Sequence, residues 1–145
     1  MLRFNNVLIP VDYSDFSRKA IRACSTLFAG DERVAFHFVH VWRSPSDQSV
    51  GDALPDLQAE LDEFVSEFTH AGDYTAHTRV LMGDPATAIC DYAREMGCDV
   101  VAMATHGRTG LAHLLIGSTT EHVVRHAPCP VLTLRVSAEG AEPGA

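Results

Sequence analysis

Residues 6–17 have the sequence NVLIPVDYSDFS, which predicts a strand, a turn and the start of a helix. The apolar run over residues 6–11 is typical of a strand that is buried on both faces of a parallel sheet. Ser14 or Asp15 can cap the helix that follows. Apolar residues then recur at helical spacing until Gly30, where the helix is expected to end.

The same alternation of strand and helix continues along the chain. Further strands are predicted over residues 34–41, 75–81, 99–105 and 130–136. A polar loop over residues 43–52 precedes an amphipathic helix whose apolar stripe runs from Leu54 to Phe68. A third helix follows Asp84 and Pro85, which suit an N-cap and a first helical position, and a fourth is predicted over residues 118–126.

This alternation predicts the α/β class, with a doubly wound, five-stranded parallel sheet of the Rossmann-like type and helices on both faces. The third strand alternates in polarity and the fifth begins with Pro130, so both suit the edges of a sheet. The three apolar strands belong inside. The strand order 3-2-1-4-5 satisfies these conditions.

Length and composition favour one domain, over residues 1–136, with a small polar tail over residues 137–145 that we expect to be disordered. The formal net charge is −8, with one lysine against ten arginines, so the chain lacks the basic surface that nucleic acid or an anionic membrane requires. No signal peptide and no membrane-spanning run is evident, which favours the cytoplasm. Four cysteines without a C-x-x-C pair are expected to be small buried hydrophobes: Cys24, Cys90, Cys98 and Cys129.

The predicted strand order also places a ligand. In an open doubly wound sheet, ligands bind beyond the carboxyl ends of the strands where the strand order reverses, here between the first and fourth strands. Asp12 follows the first strand, and Thr105, His106 and the glycine-containing loop over residues 107–118 follow the fourth. Ser118 and Glu121 have the spacing of a capping box, so the fourth helix should start there and offer free N–H groups to a phosphate. Alternatively, the serine only caps and the glycines only turn.

Three segments resemble the universal stress protein family: IPVDYSDFS near the start, GDP at residues 83–85, and ATHGRTGLAHLLIGSTTEHVVRHAPCPVLTLR at residues 104–135. The resemblance covers nearly the whole chain, from residue 6 to residue 135. It implies a Rossmann-like sheet, a homodimer built through the last strand, and a site for ATP or another adenine nucleotide, with or without Mg²⁺.

The resemblance also implies which residues form that site. The adenosine would contact Pro10, Val11, Asp12 and Val41, and the phosphates would lie on a G-x2-G-x9-G-[ST] loop. Together with the neighbours of that loop, the expected nucleotide-binding set is Pro10, Val11, Asp12, Val41, Thr105, His106, Gly107, Arg108, Gly110, Gly117, Ser118 and Thr119. The expected dimer strand comprises Val131, Leu132, Thr133, Leu134 and Arg135. This chain departs from the family pattern in the loop, since six residues rather than nine separate Gly110 from Gly117.

Several histidines and a tryptophan also have side chains that can bind or react with a ligand. His122 and His126 are four apart on one predicted helix face, but no third ligand accompanies them, so no metal site is predicted. His37 and His40 fall on opposite faces of a strand. His106 lacks a partner for acid–base work, and Trp42 either stacks on a base or packs under a loop.

Three functions follow from these observations. The first is a nucleotide-binding regulatory or stress-response protein, in which slow hydrolysis of ATP can occur without an assigned catalytic residue. The second is an enzyme; a P-loop NTPase needs G-x-x-x-x-G-K-[ST], whereas the sole lysine, Lys19, lies in the first helix. The third is a nucleotide-free dimerisation or interaction module of the same fold, which the shortened loop leaves open.

Overall fold

A computed structural model describes residues 3–28, 30–45, 49–69, 74–107 and 117–137. The strands are β1 (Asn6–Pro10), β2 (Ala35–Trp42), β3 (Thr75–Met82), β4 (Val100–Gly107) and β5 (Val131–Ser137). The helices are α1 (Asp15–Leu27), α2 (Val50–Ser66), α3 (Pro85–Glu95) and α4 (Ser118–His126). The alternating order of elements is the predicted one.

The sheet has the order β3-β2-β1-β4-β5, and every strand pairs with its neighbours in parallel. This confirms the predicted doubly wound sheet. β1 pairs with β2 on one side, from Asn6 opposite Ala35 onward, and with β4 on the other, where Val7 lies opposite Val100. The strand order therefore reverses between β1 and β4.

Helices cover both faces of the sheet, and each face has its own hydrophobic core. The side chains of β1 alternate between the two: Val7 and Ile9 belong to the core that includes α1 and α2, whereas Leu8 belongs to the core that includes α3. All three are at most 1% exposed. A strand buried on both faces has no polar side to alternate with, which explains the continuous apolar run in the sequence.

Two boundaries differ from the prediction. α2 begins at Val50, so residues 50–52 form a helical turn rather than the end of a loop, with Asp52 near the positive end of the helix dipole. β5 extends to Ser137, which pairs with Gly107, so this residue does not belong to a tail. The rest of the predicted tail, residues 138–145, lies outside the described residues. The predicted N-caps of α1 and α3 are confirmed, because Ser14 and Asp84 accept hydrogen bonds from the backbone of Ser17 and Thr87.

The outer edge of β3 is covered by side chains of α2. The backbone N–H of Val80 donates to the Gln58 side-chain oxygen at 3.1 Å, and the Gln58 amide nitrogen donates to the Thr78 hydroxyl at 3.0 Å. The Thr78 hydroxyl in turn donates to the Asp62 carboxylate. The bond to Gln58 occupies the backbone N–H of Val80, which would otherwise be available to pair with another strand.

The four cysteines are free thiols, and the expected burial is confirmed for Cys24, Cys90 and Cys98. Cys129 differs from the expectation, because it is only half-buried. Burial raises the pKa of Cys24 to about 12 and that of Cys98 to about 11, so these two thiols stay protonated near neutral pH. Among the helices that the structure describes, none combines the length and the apolar character needed to cross a membrane.

One buried cluster of polar side chains links two strands of the sheet to a helix. His37 of β2 is 3% exposed, and its ring lies between Asn6 of β1 and Tyr92 of α3. Its Nε2 lies 3.1 Å from the Asn6 side-chain oxygen and its Nδ1 lies 2.9 Å from the Tyr92 hydroxyl. Since an amide oxygen only accepts, Nε2 carries the proton and Nδ1 accepts from Tyr92. The neutral ring therefore satisfies both partners, and His77 stacks against it with ring centroids 4.8 Å apart.

This arrangement predicts a loss of stability in mild acid. Burial, with a smaller contribution from the charge of His77, lowers the pKa of His37 below the unfolded value of about 6.5. The unfolded chain therefore binds a proton that the folded chain resists as the pH falls through that value. The His37 contribution to stability is complete above about pH 6.5 and is lost below it. Urea unfolding at about pH 7.5 and 5.5 should show the free energy of unfolding falling with pH, and falling less in a His37→Gln variant.

Equal pH dependence in the His37→Gln variant and the unchanged chain would contradict the assignment.

Candidate functional site

A pocket of about 410 Å³ lies where the strand order reverses. Its walls are the carboxyl ends of β1, β2 and β4 and the first turns of α1, α3 and α4. Of the sequence-predicted residues, eight line it: Pro10, Val11, Asp12, Val41, Thr105, Gly117, Ser118 and Thr119. The volume falls within the range of small-molecule sites. The structure thus brings together two stretches that are about a hundred residues apart in the chain.

The remaining predicted residues divide into two groups. His106 and Gly107 are the last two residues of β4, at the carboxyl end of that strand. Arg108 and Gly110 lie outside the described residues, as does the rest of the loop over residues 108–116. Their predicted role on a phosphate stays a prediction.

Asp12 is held in place by the start of α1. Its Oδ1 accepts from the Ser17 hydroxyl at 2.7 Å, from the Ser14 backbone N–H at 3.0 Å and from the Ser14 hydroxyl. The Asp12 backbone N–H donates back to the Ser17 hydroxyl oxygen at 3.0 Å. Asp12 therefore lines the pocket and also supports the start of α1. Its carboxylate has a fixed position at the pocket wall.

Tyr13, which follows Asp12 in this turn, has an unusual backbone conformation. Its φ is +65°, in the left-handed region that residues with a side chain rarely adopt. Its ring is held between His40 and Phe64, with centroid distances of 4.6 and 5.1 Å. The hydroxyl is buried and has no hydrogen-bond partner in the described part of the chain. Burial, together with the nearby carboxylates of Glu60 and Asp62, raises the pKa of Tyr13 to about 12.

His40 is a pocket residue that the sequence did not reveal. Its Nδ1 lies 2.9 Å from the carbonyl oxygen of Val11. A carbonyl only accepts, so Nδ1 carries a proton and the ring ties the end of β2 to the end of β1. The available signal was its position directly before Val41, at the carboxyl end of the second strand. The walls contributed by Ser14, Ser17, Pro85 and Ile89 were missed in the same way.

The start of α4 differs from the expected capping box. Gly117 is the N-cap residue and Ser118 is already the first helical residue, so the serine cannot cap the helix with Glu121 as predicted. Glu121 instead pairs with Arg125, with 2.8 Å between Oε1 and the guanidinium. The first N–H groups of a helix have no partner within it, and together with the helix dipole they attract anions. Gly117, Ser118, Thr119 and Thr120 present this first turn at the pocket.

Of the two roles predicted for Trp42, stacking on a base or packing, the structure shows packing. It is partly buried against the core that includes α1 and α2. Its carbonyl oxygen accepts from the Gly83 N–H at 3.3 Å, which joins the end of β2 to the turn before α3. The observed contacts of Trp42 are therefore structural.

The fold and pocket define a class of protein: a doubly wound α/β domain with a ligand-sized pocket at its switch point. The model of the universal stress protein family matches residues 3–135, and the chain belongs to this family. A putative universal stress protein of Staphylococcus aureus is 30% identical over 143 residues, covering 93% of this chain and 86% of its own. A universal stress protein of Methanocaldococcus jannaschii is 28% identical over 140 residues, covering 91% and 82%.

Solved structures share the fold at lower identity. The universal stress protein UspA from Lactobacillus plantarum superposes with a TM-score of 0.68 at 23% identity, covering 93% of this chain and 100% of its own. A universal stress protein in complex with cAMP gives 0.68 at 22%, covering 90% and 97%. A family protein from Arabidopsis thaliana with AMP bound gives 0.67 at 20%, covering 96% and 97%. These likenesses confirm the Rossmann-like fold.

The buried hydroxyl of Tyr13 generates a prediction about stability. A buried polar group without a partner costs about 1 to 3 kcal/mol, so Tyr13→Phe should leave the free energy of unfolding unchanged or raise it by about 1 kcal/mol. Tyr74→Phe is the matched control, because the Tyr74 hydroxyl donates to the carbonyl oxygen of Phe68 at 2.6 Å. That variant should lose about 1 kcal/mol. Urea unfolding of both variants measures the difference, and a larger loss in Tyr13→Phe than in Tyr74→Phe would contradict the assignment.

Proposed function

We propose that this chain is a regulatory protein of the stress response that binds an adenine nucleotide, ATP above all, in the pocket at the switch point. The observation that carries the proposal is the composition of that pocket. A fixed carboxylate, an apolar wall and the first turn of a helix face the same space of about 410 Å³. These are the three kinds of surface that the ribose, the base and the phosphates of a nucleotide require.

The apolar part of the pocket suits the base. Val11 lines it directly after β1, and Val41, Ile89 and Met103 line it from β2, α3 and β4. Asp12 is an acceptor for ribose hydroxyls, and the hydrogen bonds from Ser14 and Ser17 keep its carboxylate in one orientation. The cAMP and AMP complexes among the similar structures support an adenine mononucleotide as the class of ligand.

The phosphate end relies on backbone groups. None of the described lining residues is a lysine or an arginine. Phosphate recognition in a chain of net charge −8 is then assigned to N–H groups at the start of α4, with Arg108 as an additional donor. Mg²⁺ would accompany a triphosphate as its counter-ion and offset part of the phosphate charge.

In this proposal the nucleotide acts as a ligand and not as a substrate. Bound nucleotide stabilises the folded state by mass action, so its concentration sets the population of a ligand-bound form that a partner can recognise. We assign no catalytic residue, and any hydrolysis would be slow. The shortened loop between Gly110 and Gly117 supports a second candidate, a nucleotide-free interaction module of the same fold.

We further propose that two copies pair through β5, at Val131, Leu132, Thr133, Leu134 and Arg135. The two edges of the sheet differ, because Gln58 and Asp62 occupy the β3 edge. Leu132 and Leu134 pack against the core of their own chain, whereas Thr133 and Arg135 are exposed. The contact between copies would therefore use the strand backbone together with these outward side chains.

A side chain at Gly117 should block the nucleotide without disturbing the fold. Gly117 has φ −60° and ψ 155°, which any residue adopts, and nothing in the described part of the chain lies within 4 Å of the position its Cβ would take. Gly117→Val therefore places a branched side chain in the space assigned to phosphate. We expect millimolar Mg-ATP to raise the melting temperature of the unchanged chain, and the ATP affinity of the variant to fall at least ~tenfold.

Gly51→Val in α2 is the matched control, because it adds the same side chain with only an ordinary contact, 3.9 Å from the Ser49 hydroxyl oxygen. It should bind ATP as the unchanged chain does. If Mg-ATP leaves the melting temperature of the unchanged chain where it is, and acid extraction of the purified protein releases no adenine nucleotide, the nucleotide-free module is the correct alternative.

A charge on β5 should weaken the dimer. In a symmetric pair of β5 strands, Thr133→Lys places a cation near Arg135 of the other copy, and like charges across a strand pair repel. We expect light scattering to show a monomer at concentrations where the unchanged chain is a dimer. Thr75→Lys is the control at the exposed start of β3 and should leave the dimer intact. A dimer that persists in Thr133→Lys and dissociates in Thr75→Lys would place the interface at the other edge.

A further inference from the structure

The exposed face of α4 carries two histidines one helical turn apart. His122 and His126 are both exposed, and their ring centroids are 4.4 Å apart with an angle of 51° between the ring planes. The spacing of the residues alone did not indicate a ligand site. The separation and tilt of the rings are information that only the structure supplies.

The ring separation fits a shared metal ion. Zinc binds an imidazole nitrogen at about 2.0 to 2.1 Å, so the centroid of each bound ring lies about 3.2 Å from the ion. Angles at the metal between a right angle and the tetrahedral value then place the two centroids about 4.5 to 5.2 Å apart. The observed 4.4 Å lies just below the short end of this range, so small rotations of the two side chains would bring the rings to the separation that a shared ion requires.

The carboxyl end of α4 also favours a bound cation, because the helix dipole is negative at that end and His126 is the last helical residue. The neighbouring charges do not oppose a cation, because Glu121 and Arg125 pair with each other and the chain as a whole is acidic.

We propose that His122 and His126 chelate a divalent transition-metal ion of the kind that prefers imidazole: Zn²⁺, Ni²⁺ or Cu²⁺. Water completes the coordination, since the described residues contain no group of three or more His, Cys, Asp or Glu side chains placed to hold a metal. A site with two protein ligands is exchangeable and does not hold the fold together. Mg²⁺ is excluded by its preference for oxygen ligands.

The site lies at the opposite end of α4 from the pocket. Gly117 and Ser118 begin the helix at the pocket wall, and His126 is its last residue. A bound ion would stabilise the final turn of α4, whereas the first turn of this helix faces the proposed nucleotide. The proposal does not depend on nucleotide binding and is tested without it.

Isothermal titration of the full chain with zinc chloride tests the site, in a non-chelating buffer near neutral pH. We expect one Zn²⁺ per chain, and at least ~tenfold weaker binding after either His122→Gln or His126→Gln, because even the loss of an outer hydrogen-bond partner of a metal ligand costs that much. His77→Gln is the control, since this histidine is also exposed but stacks on His37, whose two nitrogens are already occupied. It should leave Zn²⁺ affinity unchanged.

Both helix variants change exposed residues, so they should keep the circular dichroism spectrum and melting temperature of the unchanged chain without metal. Added Zn²⁺ should raise the melting temperature of the unchanged chain and of His77→Gln, but not of the two helix variants. Zn²⁺ affinity that is equal in the unchanged chain and in both helix variants would overturn the proposal. Binding of Mg²⁺ as tight as that of Zn²⁺ would overturn the ligand assignment in the same way.

Discussion

The position of β1 in the middle of a parallel sheet is the constraint on which the rest of the molecule depends. β1 pairs on both sides, and its central residues Val7, Leu8 and Ile9 are buried, so the backbone groups of these residues are satisfied by pairing with β2 and β4. The chain must therefore cross over to one side first and to the other side later. At the carboxyl end of β1 the two crossovers lead away from each other, and the space between them becomes the pocket. Asp99 anchors the other end of the strand, where its carboxylate accepts from the backbone N–H groups of Asn5 and Asn6 at 2.7 and 2.8 Å.

The strand order determines which chemical groups line the pocket. Asp12 lies at the end of β1, and the first turn of α4 follows β4. Nothing in the local sequence of either segment indicates that the two are neighbours in the fold. Hydrogen bonds then fix the positions of the pocket residues. The Ser17 hydroxyl donates to the Asp12 carboxylate, and the His40 ring links β2 to the carbonyl oxygen of Val11. The strained backbone of Tyr13 is tolerated because its ring is held between His40 and Phe64.

Much of this architecture could be predicted from the sequence, because it depends on the local polarity of single strands. The continuous apolar runs placed β1, β2 and β4 inside, and the polar side of β3 and Pro130 before β5 placed those two at the edges. The same order placed Asp12, Thr105 and the start of the fourth helix at the pocket, whereas Pro10, Val11 and Val41 were implied by the resemblance to the family. The errors arose where neighbouring residues compete for one role. Gly117 and Ser118 both suit an N-cap, and the spacing to Glu121 favoured the serine, whereas in the structure Glu121 pairs with Arg125 instead. The polar group around His37 could not be predicted, because its partners Asn6 and Tyr92 are 31 and 55 residues away and come together only through packing.

The side chains of α2 that cover β3 also limit how the protein can assemble. A sheet with two available edges can add strands at both ends and grow into a fibre. Here the Gln58 side chain already accepts from the backbone N–H of Val80, and Asp62 accepts from the Thr78 hydroxyl beside it. A strand that joined this edge would first have to displace Gln58, so the outer edge of β3 is a poor template for such growth.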